Sequence, residues 1–367
     1  MVLRTLLAAL LVFVSLSASA SRNIVVNVSM PDSTTVSDRQ VLVDVVFTNV
    51  GESSIRMVNW FLPDGDLDAD MFLMSRNGKP VMYLGPVVKR AAPSAHDMIT
   101  LAPGESISRS VDLASAYDLS RSGEYSIQYA VASTHLFAPA LPVSRRADIF
   151  DMQQMTEVEN QLLSNEVVAW VAGRKTAALE AMHARATENA VAATSASNIA
   201  YSGRCSTDQQ TTLVSAVASA STMANGAVSY LNGTPAATQR YTTWFGSYSS
   251  ANWNEVKGHF VNIKDALDTK PLTLDCACKK SYYAYVFPNQ PYKIYVCRAF
   301  WTAPLSGTDS KGGTLIHELS HFTVIAGTDD FAYGQTAAKQ LAITDPAKAR
   351  FNADSHEYFA ENTPSTP

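Results

Sequence analysis

Residues Thr314–Ile325 read TLIHELSHFTVI and contain the pattern H-E-x-x-H. The apolar residues of this stretch predict a helix, and on a helix positions i and i+4 lie on one face. His317 and His321 can therefore bind one metal ion, while Glu318 stays free to act on a water at that metal. Given the histidines and glutamates of this chain, chance predicts only about 0.004 such patterns. The pattern favours a zinc peptidase over a helix with two incidental histidines.

A catalytic zinc ion needs a third protein ligand and leaves one position open to water. Gly327 follows the predicted helix and is expected to end it in the left-handed conformation, which turns the chain back toward the metal. Asp329 and Asp330 come directly after this turn. Spacing alone leaves both open as the third ligand.

H-E-x-x-H followed by G-T-x-D-x-x-Y-G, here at residues 327–334, resembles the signature of the aspzincins, the deuterolysin-type metallopeptidases. Two further stretches, Arg240–Ser247 (RYTTWFGS) and Asn352–Asn362 (NADSHEYFAEN), are similar to the peptidyl-Lys metalloendopeptidases within this family, as is the placing of the cysteines. The likeness covers about the last 167 residues, with a looser one upstream to the propeptides of such enzymes.

The resemblance implies one Zn²⁺ per catalytic domain, held by His317, His321 and Asp330. It implies further that zinc-bound water is the nucleophile, that Glu318 is the general base and that the Tyr333 hydroxyl donates to the transition state. Such an enzyme acts on protein and peptide substrates.

Asp354 and Glu357 stand at i and i+3 in a predicted helix, so both carboxylates can point the same way. Such a pair is most often solvent-exposed. The resemblance implies instead that they line the pocket for the residue after the cut, where two carboxylates suit the compact lysine ammonium better than a guanidinium. We therefore predict hydrolysis on the N-terminal side of lysine. The alternatives are a broad-specificity deuterolysin-type enzyme, if this pair faces solvent, and an inactive secreted binding protein.

The four cysteines all lie in the C-terminal half of the chain. An even number in an exported protein predicts disulfides, and their spacing leaves three pairings open. The resemblance implies the pairs Cys205 with Cys276 and Cys278 with Cys297.

The N-terminus predicts export. Arg4 precedes an apolar run, Leu6–Leu16, and the small residues Ala18 and Ala20 fit a signal-peptidase site, so residues 1–20 are predicted to be a signal peptide. The run is too short to cross roughly 30 Å of hydrocarbon. The net charge of −5 and the lack of a Lys or Arg block longer than two residues give no electrostatic case for nucleic-acid binding, and none is expected. A secreted monomer that does not bind membranes is expected.

Residues 22–145 predict a β-sandwich-like module. Alternation marks residues 40–48 (QVLVDVVFT) and 124–131 (EYSIQYAV), and the Asn77-Gly78 turn separates predicted strands at 71–75 and 81–84. Nothing in this module resembles a functional site.

Residues 151–191 are predicted to be helical, and residues 192–200 (AATSASNIA) to be an exposed linker. Cleavage there would separate a propeptide, residues 21–200, from a helix-rich α+β zincin-type catalytic domain, residues 201–367. The enzyme is then expected to start near Ala200 or Tyr201 and to have its own propeptide as a partner before processing. Ser206 and Gln209 predict a capping box for a helix that runs toward Leu231.

Overall fold

The computed structural model describes residues 23–31, 40–65, 67–137, 161–173, 175–176, 178–182, 184 and 198–366. It contains an N-terminal region built from strands and a C-terminal region rich in helices. The predicted signal peptide, residues 151–160 and residues 192–197 of the predicted linker lie outside the described residues.

The N-terminal strands mostly alternate buried and exposed residues, as half-buried strands do. They are β1 (Ile24–Ser29), β2 (Leu42–Asn49), β3 (Ile55–Val58), β4 (Phe72–Arg76), β5 (Lys79–Pro80), β6 (Val87–Lys89), β7 (Met98–Leu101), β8 (Ser106–Asp112), β9 (Gly123–Ala132), β10 (Gln161–Leu163) and β11 (Val167–Val171). A short helix, α1 (Ser133–Leu136), follows β9.

Two larger sheets of this region share one apolar core. One has the order β1-β2-β8, and the other has the order β10-β9-β4-β5 with β11 also paired to β9; β3 and β7 form a separate pair. Phe47 of β2 packs edge-on against Tyr129 of β9, with ring centroids 5.1 Å apart. This layered arrangement agrees with the predicted sandwich.

Two predictions for this region are wrong in detail. Asn77 and Gly78 do form a tight turn, with φ of 48° and 74°, but the second strand is Lys79–Pro80 rather than residues 81–84. Beyond β5, the amide of Val81 still donates to the carbonyl oxygen of Met74 at 3.0 Å, but residues 82–84 do not continue the strand. Within the described part of the helix predicted over 151–191, residues 161–163 and 167–171 instead form strands β10 and β11 on β9, while residues 178–182 are helical. Pairing with β9 outweighs the local helical pattern.

The C-terminal region interleaves helices with a small sheet. Its elements are β12 (Ile199–Ser202), α2 (Thr207–Leu231), α3 (Gln239–Phe245), α4 (Ser250–Thr269), β13 (Leu272–Asp275), β14 (Ala284–Val286), β15 (Lys293–Val296), α5 (Arg298–Thr302), α6 (Lys311–His321), α7 (Gly334–Thr344), α8 (Pro346–Ala349) and α9 (Ala353–Glu361).

The C-terminal sheet takes its last strand from the N-terminal region. Its order is β12-β13-β15-β14-β6. β12, β13 and β15 run parallel, whereas β14 and β6 are antiparallel to their neighbours. The expected start of the processed enzyme, Ala200 or Tyr201, falls inside β12 and not in an exposed linker. That start stays a prediction.

Helix α2 is anchored at its beginning. Ser206 caps it, and the reciprocal bonds of a capping box with Gln209 are both present. Just before it, Cys205 is joined to Cys276, and Cys278 is joined to Cys297. These are the pairs that the resemblance implied. Across the described ranges, none of the helices has the length and apolar character that spanning a bilayer requires.

Candidate metal centre and its pocket

Helix α6 carries the H-E-x-x-H residues and is capped at Ser310. The Ser310 hydroxyl accepts from the amide of Gly313 at 2.9 Å, and the Glu361 carboxylate accepts from the amide of Ser310 at 2.8 Å. The helix therefore begins at Lys311, three residues before the predicted start. It ends at His321, because Phe322 is extended. The predicted extension to Ile325 is wrong, since residues 323–326 form a turn.

Two glycines let α6 pack close to its neighbours. A Cβ at Gly313 would lie 2.1 Å from a Glu361 carboxylate oxygen, and one at Gly312 would lie 2.7 Å from the Ser219 hydroxyl. Every residue of α6 is buried as a result. His317, Glu318 and His321 are thereby held on a rigid element, which a reaction centre requires.

His317 and His321 converge on Asp330. The Asp330 Oδ1 atom lies 3.1 Å from His317 Nε2 and 3.5 Å from His321 Nε2. Asp329, the alternative on spacing, is solvent-exposed and its carboxylate accepts from the Asp330 amide at 2.8 Å. Gly327 does not end the helix, but its φ of 60° lies in the turn that returns the chain toward His321.

The outer nitrogen of each histidine faces an oxygen. His321 Nδ1 lies 2.9 Å from the carbonyl oxygen of Thr328, and His317 Nδ1 lies 2.9 Å from Asp354 Oδ1. Such contacts fix the ring orientation and leave Nε2 as the ligand atom. Asp354 was predicted only as a pocket residue, and its contact with His317 Nδ1 was not predicted.

These residues fit a zinc ion. His317 Nε2, His321 Nε2 and Asp330 Oδ1 are buried and lack a hydrogen-bond partner, and their ligand atoms lie within 4.8 Å of one another. Buried polar atoms without partners are rare in native proteins, and a metal ion accounts for all three at once. Two imidazoles and one carboxylate, with a fourth position open, form a donor set typical of catalytic zinc.

Glu318 and Tyr333 lie beside this centre. Glu318 is fully buried, and neither of its carboxylate oxygens has a hydrogen-bond partner. Burial raises the pKa of Glu318 well above its usual value. The Tyr333 hydroxyl lies 3.2 Å from Asp330 Oδ2 and donates to the carbonyl oxygen of Val88 at 3.2 Å.

Asp354 and Glu357 lie on α9 and are both fully buried, so they do not form the solvated face that is the common arrangement for such a pair. The amide of Gly334, at the start of α7, donates to Asp354 Oδ2 at 2.6 Å. Gly334 has a φ of 82°, which a residue with a side chain would adopt only under strain.

A lysine of the N-terminal region fills the space between these two carboxylates. The ammonium of Lys89 lies 3.3 Å from Asp354 Oδ1 and bonds Glu357 Oε2. No functional residue was predicted in this region, so Lys89 was missed. The predicted lysine specificity could have suggested that a lysine of the same chain occupies the pocket. Nothing in the sequence, however, distinguishes Lys89 from the other lysines.

A cavity of about 350 Å³ lies beside the metal centre, between the two regions. His321, Asp330 and Tyr333 line it from the C-terminal region, and Val87 and Val88 line it from the N-terminal region. Both regions therefore line the space beside the candidate metal centre.

The sequence profile of a family described as Lysine-specific metallo-endopeptidase matches residues 230–361. An extracellular protease of Aeromonas hydrophila is 46% identical over 325 residues, which cover 89% of this chain and 89% of that protein. A peptidyl-Lys metalloendopeptidase of Armillaria mellea is 36% identical and covers 96% of this chain and 95% of its own length. A solved zinc peptidase from Grifola frondosa is 47% identical over 44% of this chain and all of that chain, with a TM-score of 0.43.

Proposed function

This chain belongs to the aspzincin family of metalloendopeptidases, and we propose that it is a secreted zinc enzyme that hydrolyses peptide bonds on the N-terminal side of lysine. The observation that carries this proposal is the pair of fully buried carboxylates, Asp354 and Glu357, next to a metal-binding set of residues. Membership of an enzyme family leaves no support for the inactive binding protein considered above.

His317, His321 and Asp330 would hold the zinc ion, whose chemistry is to polarise the scissile carbonyl and to lower the pKa of water. The remaining steps belong to side chains of this protein. Glu318 would take the proton of the attacking water and deliver it to the leaving amine. A buried carboxylate with a raised pKa suits this role, because it holds a proton more readily than an exposed one.

Tyr333 would donate its hydroxyl proton in a hydrogen bond to the carbonyl oxygen as negative charge develops there. Burial keeps this tyrosine neutral by raising its pKa well above the usual value, so the proton is available. A preorganised donor of this kind contributes roughly 3 kcal/mol to transition-state stabilisation.

Asp354 and Glu357 would bind the lysine that follows the cut. A buried carboxylate pair needs a cation, and an ammonium between the two gives each a charge-assisted hydrogen bond of roughly 1.5–3 kcal/mol. The broad-specificity alternative was expected to follow if this pair faced solvent; the burial of both residues supports the lysine pocket instead. Because Asp354 also lies 2.9 Å from His317 Nδ1, we infer that it links the pocket to the metal centre.

The test is a digest of a protein of known sequence, with the new peptide N-termini read by mass spectrometry. Lysine should dominate these N-termini for the wild-type enzyme. In Asp354→Asn with Glu357→Gln, kcat/KM for lysine substrates should fall about 100-fold or more. The matched control is Asp265→Asn with Asp268→Asn, an exposed acidic pair at the same spacing on α4, which should leave activity unchanged. Wild-type N-termini spread over many residue types would favour the broad-specificity enzyme.

A further inference from the structure

Strand β6 of the N-terminal region lies along the edge strand of the catalytic sheet. It runs antiparallel to β14, with Lys89 opposite Ala284 and Val88 opposite Tyr285. The amide of Tyr283 donates to the carbonyl oxygen of Lys89 at 3.1 Å. Proteins commonly bind an extended peptide by adding it to an exposed sheet edge in this way. Residues 87–89 therefore occupy the place that a bound peptide would take.

The side chain of Lys89 fills the proposed lysine pocket. It is fully buried, and its ammonium contacts Asp354 and Glu357 and lies 3.8 Å from Asp309 Oδ1. The ring of Tyr283 lies 5.3 Å from the same nitrogen. A buried lysine without partners would be strongly unfavourable, whereas here two buried carboxylates compensate its charge.

The peptide bond before Lys89 lies at the reaction centre. The carbonyl oxygen of Val88 accepts from the Tyr333 hydroxyl at 3.2 Å, and the same hydroxyl lies 3.2 Å from Asp330 Oδ2. Val88 thus stands where the residue before the cut would stand, and Lys89 stands where the residue after it would stand. The register matches that of a substrate cut before lysine.

Anchors on both sides hold this segment in place. Before it, the Tyr83 hydroxyl lies within hydrogen-bond distance of the carbonyl oxygens of Leu67 (2.9 Å) and Pro86 (3.2 Å). After it, the Arg90 guanidinium lies 4.2 Å from the ring centroid of Tyr282 and 3.8 Å from Asp68. Leu67 and Asp68 belong to the N-terminal region, so the segment is tied to the sandwich there and does not diffuse away as a free peptide would.

We propose that residues 87–89 are a built-in pseudosubstrate that keeps the uncut chain inactive, with Lys89 blocking the lysine pocket and Val88 blocking the reaction centre. This inference rests on the proposed lysine specificity. It assigns the N-terminal region a regulatory role, and it predicts that loss of the Lys89 side chain weakens the block, because the pairing of β6 with β14 alone then holds Val88 at the reaction centre.

The first test uses the full-length chain and a short peptide that contains one lysine, with the intact mass of the protein checked before and after the assay. The wild-type uncut chain should show little hydrolysis, and Lys89→Ala should raise it at least about tenfold. The matched control is Lys79→Ala, an exposed lysine in β5, which should behave like the wild type. If Lys89→Ala stays as inactive as the wild type, although removal of the N-terminal region activates both, the inference is wrong and the proposed function stands.

A second test does not depend on the folding of a Lys89 variant. A synthetic peptide of residues 85–92 (GPVVKRAA) should bind the activated Glu318→Gln enzyme in a titration, because it carries the backbone and the lysine of the bound segment. The same peptide with Lys89→Ala should bind at least about 100-fold more weakly, since it loses two charge-assisted bonds. Equal affinity of the two peptides would overturn the inference. A wild-type digest without lysine N-termini would instead overturn the proposed function, so the two failures are distinct.

Discussion

The two regions of this molecule bury different kinds of residue. Among the described residues before Ile199, the buried charged side chains are Lys89 and Arg90, and the rest of the core is almost entirely apolar. Among residues 199–366, twelve acidic, basic or histidine side chains are buried beside the apolar core, and these are Arg240, His259, Asp275, Lys293, Lys311, His317, Glu318, His321, Asp330, Asp354, His356 and Glu357.

This difference indicates that the functional site lies in the C-terminal region. Burying an ionisable group is unfavourable unless a partner compensates it, so a cluster of such groups indicates a functional site. Both disulfides lie in the C-terminal region, where they offset part of that cost. The only buried charges of the N-terminal region that the structure describes lie where it meets the C-terminal region.

The largest expected effect tests the chemical side of this comparison. Glu318→Gln should lower kcat by about 10²–10⁴-fold, because the general base is lost while the metal ligands remain. Its free energy of unfolding should not fall, since neither oxygen of the buried carboxylate has a hydrogen-bond partner and a neutral amide is easier to bury. Zinc content, kcat and urea unfolding of the same preparation check both statements. Substantial residual activity would remove Glu318 from the mechanism.

The next effect concerns the disulfides. Replacing Cys205 and Cys276 by serine opens a loop of 71 residues and should destabilise the C-terminal region by about 4 kcal/mol; the same change at Cys278 and Cys297 opens 19 residues and should cost about 3 kcal/mol. Urea midpoints of the two variants give the comparison. A larger loss from the shorter loop would show that local packing, rather than chain entropy, dominates.

The candidate metal-binding residues could be predicted from the sequence because a metal site dictates their spacing. His317 and His321 must share a helix face, and Gly327–Gly334 must return the chain to them. The predicted start of α6 was wrong, because the helix begins where Ser310 bonds Glu361, a residue far from it in sequence. The role of Lys89 depends on the pairing of β6 with β14 across roughly two hundred residues, and no local pattern encodes such a contact.

The apolar core of the N-terminal region supplies the third prediction. Ile127 of β9 is fully buried, and Ile127→Ala should destabilise this region by about 3 kcal/mol through lost contacts and a cavity. The uncut variant should then hydrolyse peptides faster than the uncut wild type, because the destabilised N-terminal region holds β6 less firmly against β14. Val168→Ala, at a position that is 56% exposed on the neighbouring β11, is the control. If the Ile127→Ala chain is destabilised but as inactive as the wild type, β6 stays paired with β14 independently of the stability of the N-terminal region.

The smallest expected effect is a pH dependence at Glu361, whose carboxylate accepts from the amide and the hydroxyl of Ser310. Burial, followed by repulsion from Glu357, raises the pKa of Glu361 to about 8 from 4.5, against a lowering contribution from Lys89. Between these two values the folded chain keeps a proton that the unfolded chain releases. Stability from this group is therefore present at low pH and is lost as pH rises toward 8.

Glu361→Gln should remove that slope, because an amide does not titrate. Relative to the wild type, the variant should gain at least about 1 kcal/mol of stability between pH 5 and pH 8, since one unit of differential titration is worth about 1.4 kcal/mol. Urea unfolding of both proteins at four pH values gives the difference, in which other titrating groups cancel. Parallel pH profiles would mean that Glu361 stays ionised in the fold, with its bonds to Ser310 outweighing its burial.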